Sequence, residues 1–95
     1  MIRKPKRGYY SEKECWDLYI YLARDIAKAL KSFKKANKNS YPGNLANMEA
    51  WHEILNKMIY SFETISKDNA DVYNNEDKVL EGLDLFSKYY MDLWD

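Results

Sequence analysis

Read for apolar spacing, the chain divides into three helical segments separated by two polar stretches. In the first segment Cys15, Leu18, Tyr19, Leu22, Ile26, Ala29, Leu30 and Phe33 recur at steps of three and four, the period of one helix face. Trp16, Ile20, Ala23 and Ala27 widen that face to about half the circumference, more than one packing partner requires. The pattern predicts a helix over 11–35. Its width predicts that this helix is the central element, touching two others or a second subunit. Ser11 and Glu14 have the capping-box spacing, in which each side chain satisfies the other's free backbone N–H. Tyr10 is placed to staple onto Cys15 across that cap. Lys31, Lys34 and Lys35 near the far end suit the negative pole of the helix.

The second segment carries Trp51, Ile54, Leu55, Met58, Phe62 and Ile65 on one stripe and predicts a helix over 48–66. Tyr60, Glu53, Asn56, Glu63 and Lys57 face away from it. Asn44 or Asn47 is the expected N-cap. Between the first two helices, Pro42-Gly43 marks a turn, and Tyr41 before the proline is extended. Residues 67–75 read as polar and turn-rich, with Asn74 or Asn75 capping a third helix over 76–93. There Val79, Leu83, Phe86, Tyr90, Leu93 and Trp94 share a face, flanked by Leu80 and Met91 on one side and by Leu85 and Tyr89 on the other. Gly82 lies in its interior, where Gly costs about 1 kcal/mol relative to Ala. Close approach of another helix would offset that cost. The expected fold is all-α: a three-helix antiparallel bundle forming one domain over 8–95, preceded by an extended arm over 1–7.

Composition sharpens this picture. Ninety-five residues make one domain with a modest core, and three Gly with two Pro favour long helices over many turns. The single Cys excludes an intramolecular disulfide and fits a reducing, cytoplasmic setting. No apolar run approaches the roughly 20 residues of a membrane span, and the basic N-terminus has no apolar stretch after it, so a secretory signal is not expected. The net charge is zero, yet residues 1–38 hold eleven Lys or Arg against four Asp or Glu, and residues 39–95 hold the reverse. A basic first helix beside an acidic third would balance this internally. Otherwise the dipole steers an anion to the N-terminal part or draws copies of the chain together.

Catalytic chemistry has little to stand on. His52 is the only histidine and flanks the second helix stripe without partners at ligand spacing, so no metal and no cofactor is expected. Cys15 lies on the apolar face and reads as core. No acid pair or phosphate loop stands out, so the chain is not expected to be an enzyme. The aromatics are more suggestive. Tyr9, Tyr10, Trp16 and Asp17 surround the first helix start beside Arg3, Lys4 and Arg7 of the arm, and Tyr41 and Trp51 follow from the loop and second helix. These nine are the candidate ligand-binding residues. In that role the rings would stack a base and the cations would hold phosphate. As structure, the same rings fill helix seams and the arm is a solvated tail.

Gly8, a Tyr, Ser11 and Trp16-Asp17, followed by Tyr41-Pro42, Trp51-His52-x-Ile54-Leu55-x-Lys57-Met58 and Gly82-Leu83-x-Leu85-Phe86-x-Lys88-Tyr89-Tyr90-x-x-Leu93-Trp94-Asp95, form a pattern along nearly the whole chain. It resembles that of small helical proteins of bacteriophage and prophage genomes. This sequence departs from that pattern at the turn, where Ser40 precedes Tyr41-Pro42 and the glycine follows at Gly43, and at Glu12 and Glu14, where Asp is expected. The resemblance implies a phage origin more than a mechanism, and the reading favoured beside it is a cytoplasmic phage-encoded binding protein that counters host defence. One form sequesters a nucleotide signal. The alternatives are a protein–protein inhibitor or adaptor, and a nucleic-acid-binding module led by the arm. The width of the first helix predicts a homo-oligomer, a dimer being favoured.

Overall fold

A computed structural model describes residues 10–68 and 71–94. The arm expected over 1–7, and with it Arg3, Lys4, Arg7 and Tyr9, lies outside them. The order is α1 (Glu12–Cys15), α2 (Leu18–Ala36), α3 (Met48–Ser66), α4 (Asp71–Asn74), α5 (Glu76–Tyr89) and a closing 3-10 turn (Tyr90–Asp92). The chain is all-α, and α2, α3 and α5 are packed together.

The helix expected over 11–35 is two. The capping box forms, with Glu14 N–H donating to Ser11 Oγ and Ser11 N–H to Glu14 Oε1, both at 3.0 Å. The helix it starts stops after Cys15, and at Asp17 the backbone leaves the helical region, with φ −127° and ψ 44°. Asp competes for nearby backbone groups and disfavours helix interiors, so Asp17 is suited to the start of α2 rather than the middle of a longer helix. The short α1 packs only on α2. Cys15, expected in the core, is therefore exposed, and so is Trp16.

The centre of the fold is α3, not the first helix. α2 and α5 pack on α3, and their own backbones do not approach each other. The described part is accordingly a slab of 51 × 35 × 19 Å. α3 can serve two neighbours because it is buried on two sides. Trp51, Leu55, Met58 and Phe62 of its stripe are buried, and so are Ile59, Ser61 and Thr64 beside it. On α2 the buried residues are Ala23, Ala27 and Leu30, so the core-facing side is turned toward the small alanines. Alanine side chains let α2 lie close to α3, whereas Tyr19 and Leu22 of the predicted face stay exposed.

The α3–α5 seam is closed at Gly82, where a Cβ would sit 1.9 Å from Ser61 Oγ and 2.4 Å from the Lys57 carbonyl oxygen. Ser61 Oγ donates at 2.7 Å to the Val79 carbonyl, satisfying a hydroxyl buried in the seam. The expected helix 76–93 tightens into the 3-10 turn after Tyr89, leaving Tyr90, Met91 and Trp94 exposed while Tyr89 is buried. Among the described residues, an exposed ion pair joins the two charge halves and another lies within the acidic one. Lys31 of α2 pairs with Glu63 of α3, and Lys57 of α3 pairs with Glu81 of α5 at 3.0 Å. Such exposed pairs contribute about 0–1 kcal/mol each. The basic α2 is not beside the acidic α5.

Candidate functional site

The spacing of α2 and α5 on α3 leaves one end of the slab open. Tyr19 of α2, Ile65 of α3, Tyr73 of α4 and Val79, Leu80 and Leu83 of α5 line a groove of about 260 Å3 there. This is below the 300–1,000 Å3 usual for small-molecule pockets and suits one or two side chains of a partner. Large apolar groups gather at its walls: Tyr19 is 62% exposed, Tyr73 81% and Leu80 49%. Trp16, one turn before Tyr19, is 75% exposed. At roughly 200 Å2 per aromatic side chain, the groove residues Tyr19 and Tyr73 leave about 300 Å2 of ring surface in solvent.

Local sequence explains the groove. α3 ends at Ser66, and Asp68 turns the chain with φ 51°, a left-handed conformation that Asp tolerates better than most residues. Its N–H donates to the Ile65 carbonyl at 3.1 Å. The chain then forms α4, held to α5 through Asn75, whose Nδ2 and backbone N–H both donate to the Asp71 carbonyl at 3.0 Å. Asp68 and Glu76 are the charged lining residues, and among the described residues no Lys or Arg joins them. The Tyr19 phenol is pushed above its ordinary value by the charge of Asp68, then by burial and by Asp17. The groove is thus apolar with an acidic rim.

Sequence reasoning missed this site. Tyr73 and Val72 lay in a stretch read as a polar connection. The available signal was two adjacent apolar residues, Val72-Tyr73, inside that stretch, together with the excess width of the first helix face.

The candidate ligand-binding residues scatter. Trp51 has 0% exposure and packs edge-on to Phe33 at 6.4 Å and tilted against Tyr89 at 5.6 Å, so its ring offers a ligand no surface. Among the described residues its Nε1 and His52 Nε2 have no hydrogen-bond partner. Tyr10 donates from its hydroxyl to Asp25 Oδ2 at 2.6 Å. Arg24 Nε reaches Asp25 Oδ1 at 3.3 Å, and the guanidinium lies 5.0 Å from the Tyr21 ring centre. Trp16 and Asp17 stand at one end of α2 and Tyr41 beyond the other. Nineteen helical residues separate them by about 28 Å, so one cleft in one chain does not gather them. Tyr41 instead faces Trp94 across an open hollow shared with Asn39, Ser40, Pro42 and Asp92.

Among the described residues no three His, Cys, Asp or Glu groups converge to hold a metal ion, and no helix is long and apolar enough to cross a membrane. Comparison with known families, with characterised proteins and with solved structures finds no match to this chain.

Proposed function

We propose that this chain is a small non-catalytic binding protein that docks a protein partner in the groove between α2 and α5, acting as an adaptor or inhibitor. The observation that carries this reading is the gathering of exposed Tyr19, Tyr73 and Leu80 around one concave site, where a monomer would otherwise leave large apolar groups in water. The phage resemblance gives the partner a setting, a host protein of the defence machinery. Nucleotide sequestration has less support. Stacking needs cations beside the rings, and among the described residues the one charged side chain lining the Tyr41–Trp94 hollow is Asp92, whose sign opposes phosphate.

Site-directed photo-crosslinking in cells expressing the chain tests the proposal. A photoreactive residue at position 80 should trap a defined protein that mass spectrometry identifies. The same residue at position 56, exposed on α3, should not trap it. Equal trapping at both positions, or none at position 80, would remove the reading.

A further inference from the structure

We infer that the groove takes a cationic amphipathic helix, one that inserts one or two apolar side chains and sets Lys or Arg against Asp68 and Glu76. This rests on the groove being a protein-docking site. Three observations select the partner's chemistry. The floor and walls, Ile65, Val79, Leu80 and Leu83 with the Tyr19 ring, are apolar, so the occupant buries apolar groups. The charges on the rim are all of one sign among the described residues: Asp68 and Glu76 line it, and Asp17 is close enough to act on the Tyr19 phenol. The third is that the charge of Asp68 acts on the Tyr19 phenol, which sets this carboxylate beside the groove wall.

The shape selects a helix. α2 and α5 flank α3 without approaching each other, so the space above Ile65 is open between two helices, and a third helix laid across it would touch both. Val79, Leu80 and Leu83 span little more than one turn, which matches anchors at i and i+3 or i+4. A second copy seated through the same groove would bring two acidic rims together, and like charges in contact disfavour that pairing.

The test is calorimetric titration of the full chain with three synthetic 16-residue peptides. One is a cationic amphipathic helix. In the second, Glu replaces every Lys. The third is the cationic peptide scrambled to lose its apolar face. The cationic amphipathic peptide should bind at least tenfold tighter than the other two. Its affinity should fall between 50 and 500 mM salt, and the D68N/E76Q double variant should erase most of its preference over the anionic peptide. Asn is at home at φ 51°, so that variant keeps the fold.

Equal binding of the cationic and anionic amphipathic peptides would leave the docking site standing and overturn the cationic assignment. Equal binding of the scrambled peptide would reduce the effect to surface charge and overturn it also. No binding of any peptide at 100 μM would overturn both. Tenfold tighter peptide binding on removal of residues 1–9 would give the groove to the chain's own basic arm. A dimer abolished by Leu80→Gln would give it to a second copy. Either result overturns the assignment to a partner.

Discussion

The two ends of α3 are finished in opposite ways. At the Trp51 end, Phe33 of α2 and Tyr89 of α5 close on the indole, and Asn44 of the loop donates to the Tyr89 hydroxyl at 3.0 Å. The connection from α2 helps: Asn37 is buried and its Nδ2 donates to the Ser40 carbonyl, while Leu45 N–H closes the Pro42-Gly43 turn on the Pro42 carbonyl. At the Ile65 end no such lid forms among the described residues. Tyr19 and Leu80 approach the same floor from two sides and remain in water. The Trp51 end packs rings over the floor helix and leaves Tyr41, Tyr90 and Trp94 outside them, whereas at the Ile65 end the rings beside the floor themselves stay in water. A small helical slab with a single floor helix can do both, because sealing either end is a local matter of loop and ring.

The largest test of this contrast is a pair of identical truncations. Trp51→Ala should cost about 3–5 kcal/mol by urea unfolding, the usual range for a large buried ring. Tyr19→Ala should cost about 0.5 kcal/mol or less, as for an exposed position. Trp51→Phe supplies a readable loss where the alanine variant is too unstable to measure. Similar losses at positions 51 and 19 would mean that the open end is sealed in solution.

A smaller effect is expected at the α3–α5 seam. Gly82→Ala gains about 1 kcal/mol of helix propensity. It also drives a methyl into Ser61 and the Lys57 carbonyl, and overpacking of that kind costs about 1–3 kcal/mol. The net result should be destabilising. Ser61→Gly in the same chain should fail to restore it, because the Lys57 oxygen at 2.4 Å is backbone and remains. A stabilised Gly82→Ala variant would show that α5 rides farther from α3 than described, and that the groove is correspondingly wider.

Much of the fold was legible. The α3 bounds, the Asn47 cap on Ala50 N–H at 2.8 Å and the capping box follow from spacing and cap chemistry, which are local; α5 starts at Glu76 as expected, but Asn75 before it makes no side-chain cap bond and donates to the Asp71 carbonyl instead. The hierarchy of helices was not. Width of an apolar arc pointed to the first helix, whereas close packing depended on Ala23, Ala27, Ser61 and Gly82, small residues that an apolar count weighs lightly. The candidate site was less legible still. Trp51 and Trp16 look alike in sequence, and which one is buried depends on a backbone break at Asp17 and on a loop that brings Asn44 to Tyr89. The groove is made by residues from four helices, and no single period reveals that they converge.

The smallest effect lies beside the open end, where Tyr10 is tied to α2. The Asp25 carboxyl is held below its ordinary value, first by the hydrogen bond from Tyr10, against burial, and then by Arg24 and Lys28. The Tyr10 phenol is pushed above its ordinary value, first by the same bond. The signs differ. Asp25, with a lowered folded value, contributes stability above the ordinary 3.8 and loses it as pH falls through the folded value. Tyr10, with a raised folded value, contributes below 10.0 and loses it as pH rises through the folded value above that. Between these limits the bond is intact and holds the chain entering α1 against the outer side of α2. Tyr10→Phe should therefore let the Asp25 pKa climb back toward 3.8 in a carbon-13 titration of its carboxyl. The Trp51 indole resonance, at the sealed end, should stay unmoved. An unchanged Asp25 pKa in Tyr10→Phe would assign its shift to Arg24 and Lys28, and would leave the entry to α1 free to move relative to the groove.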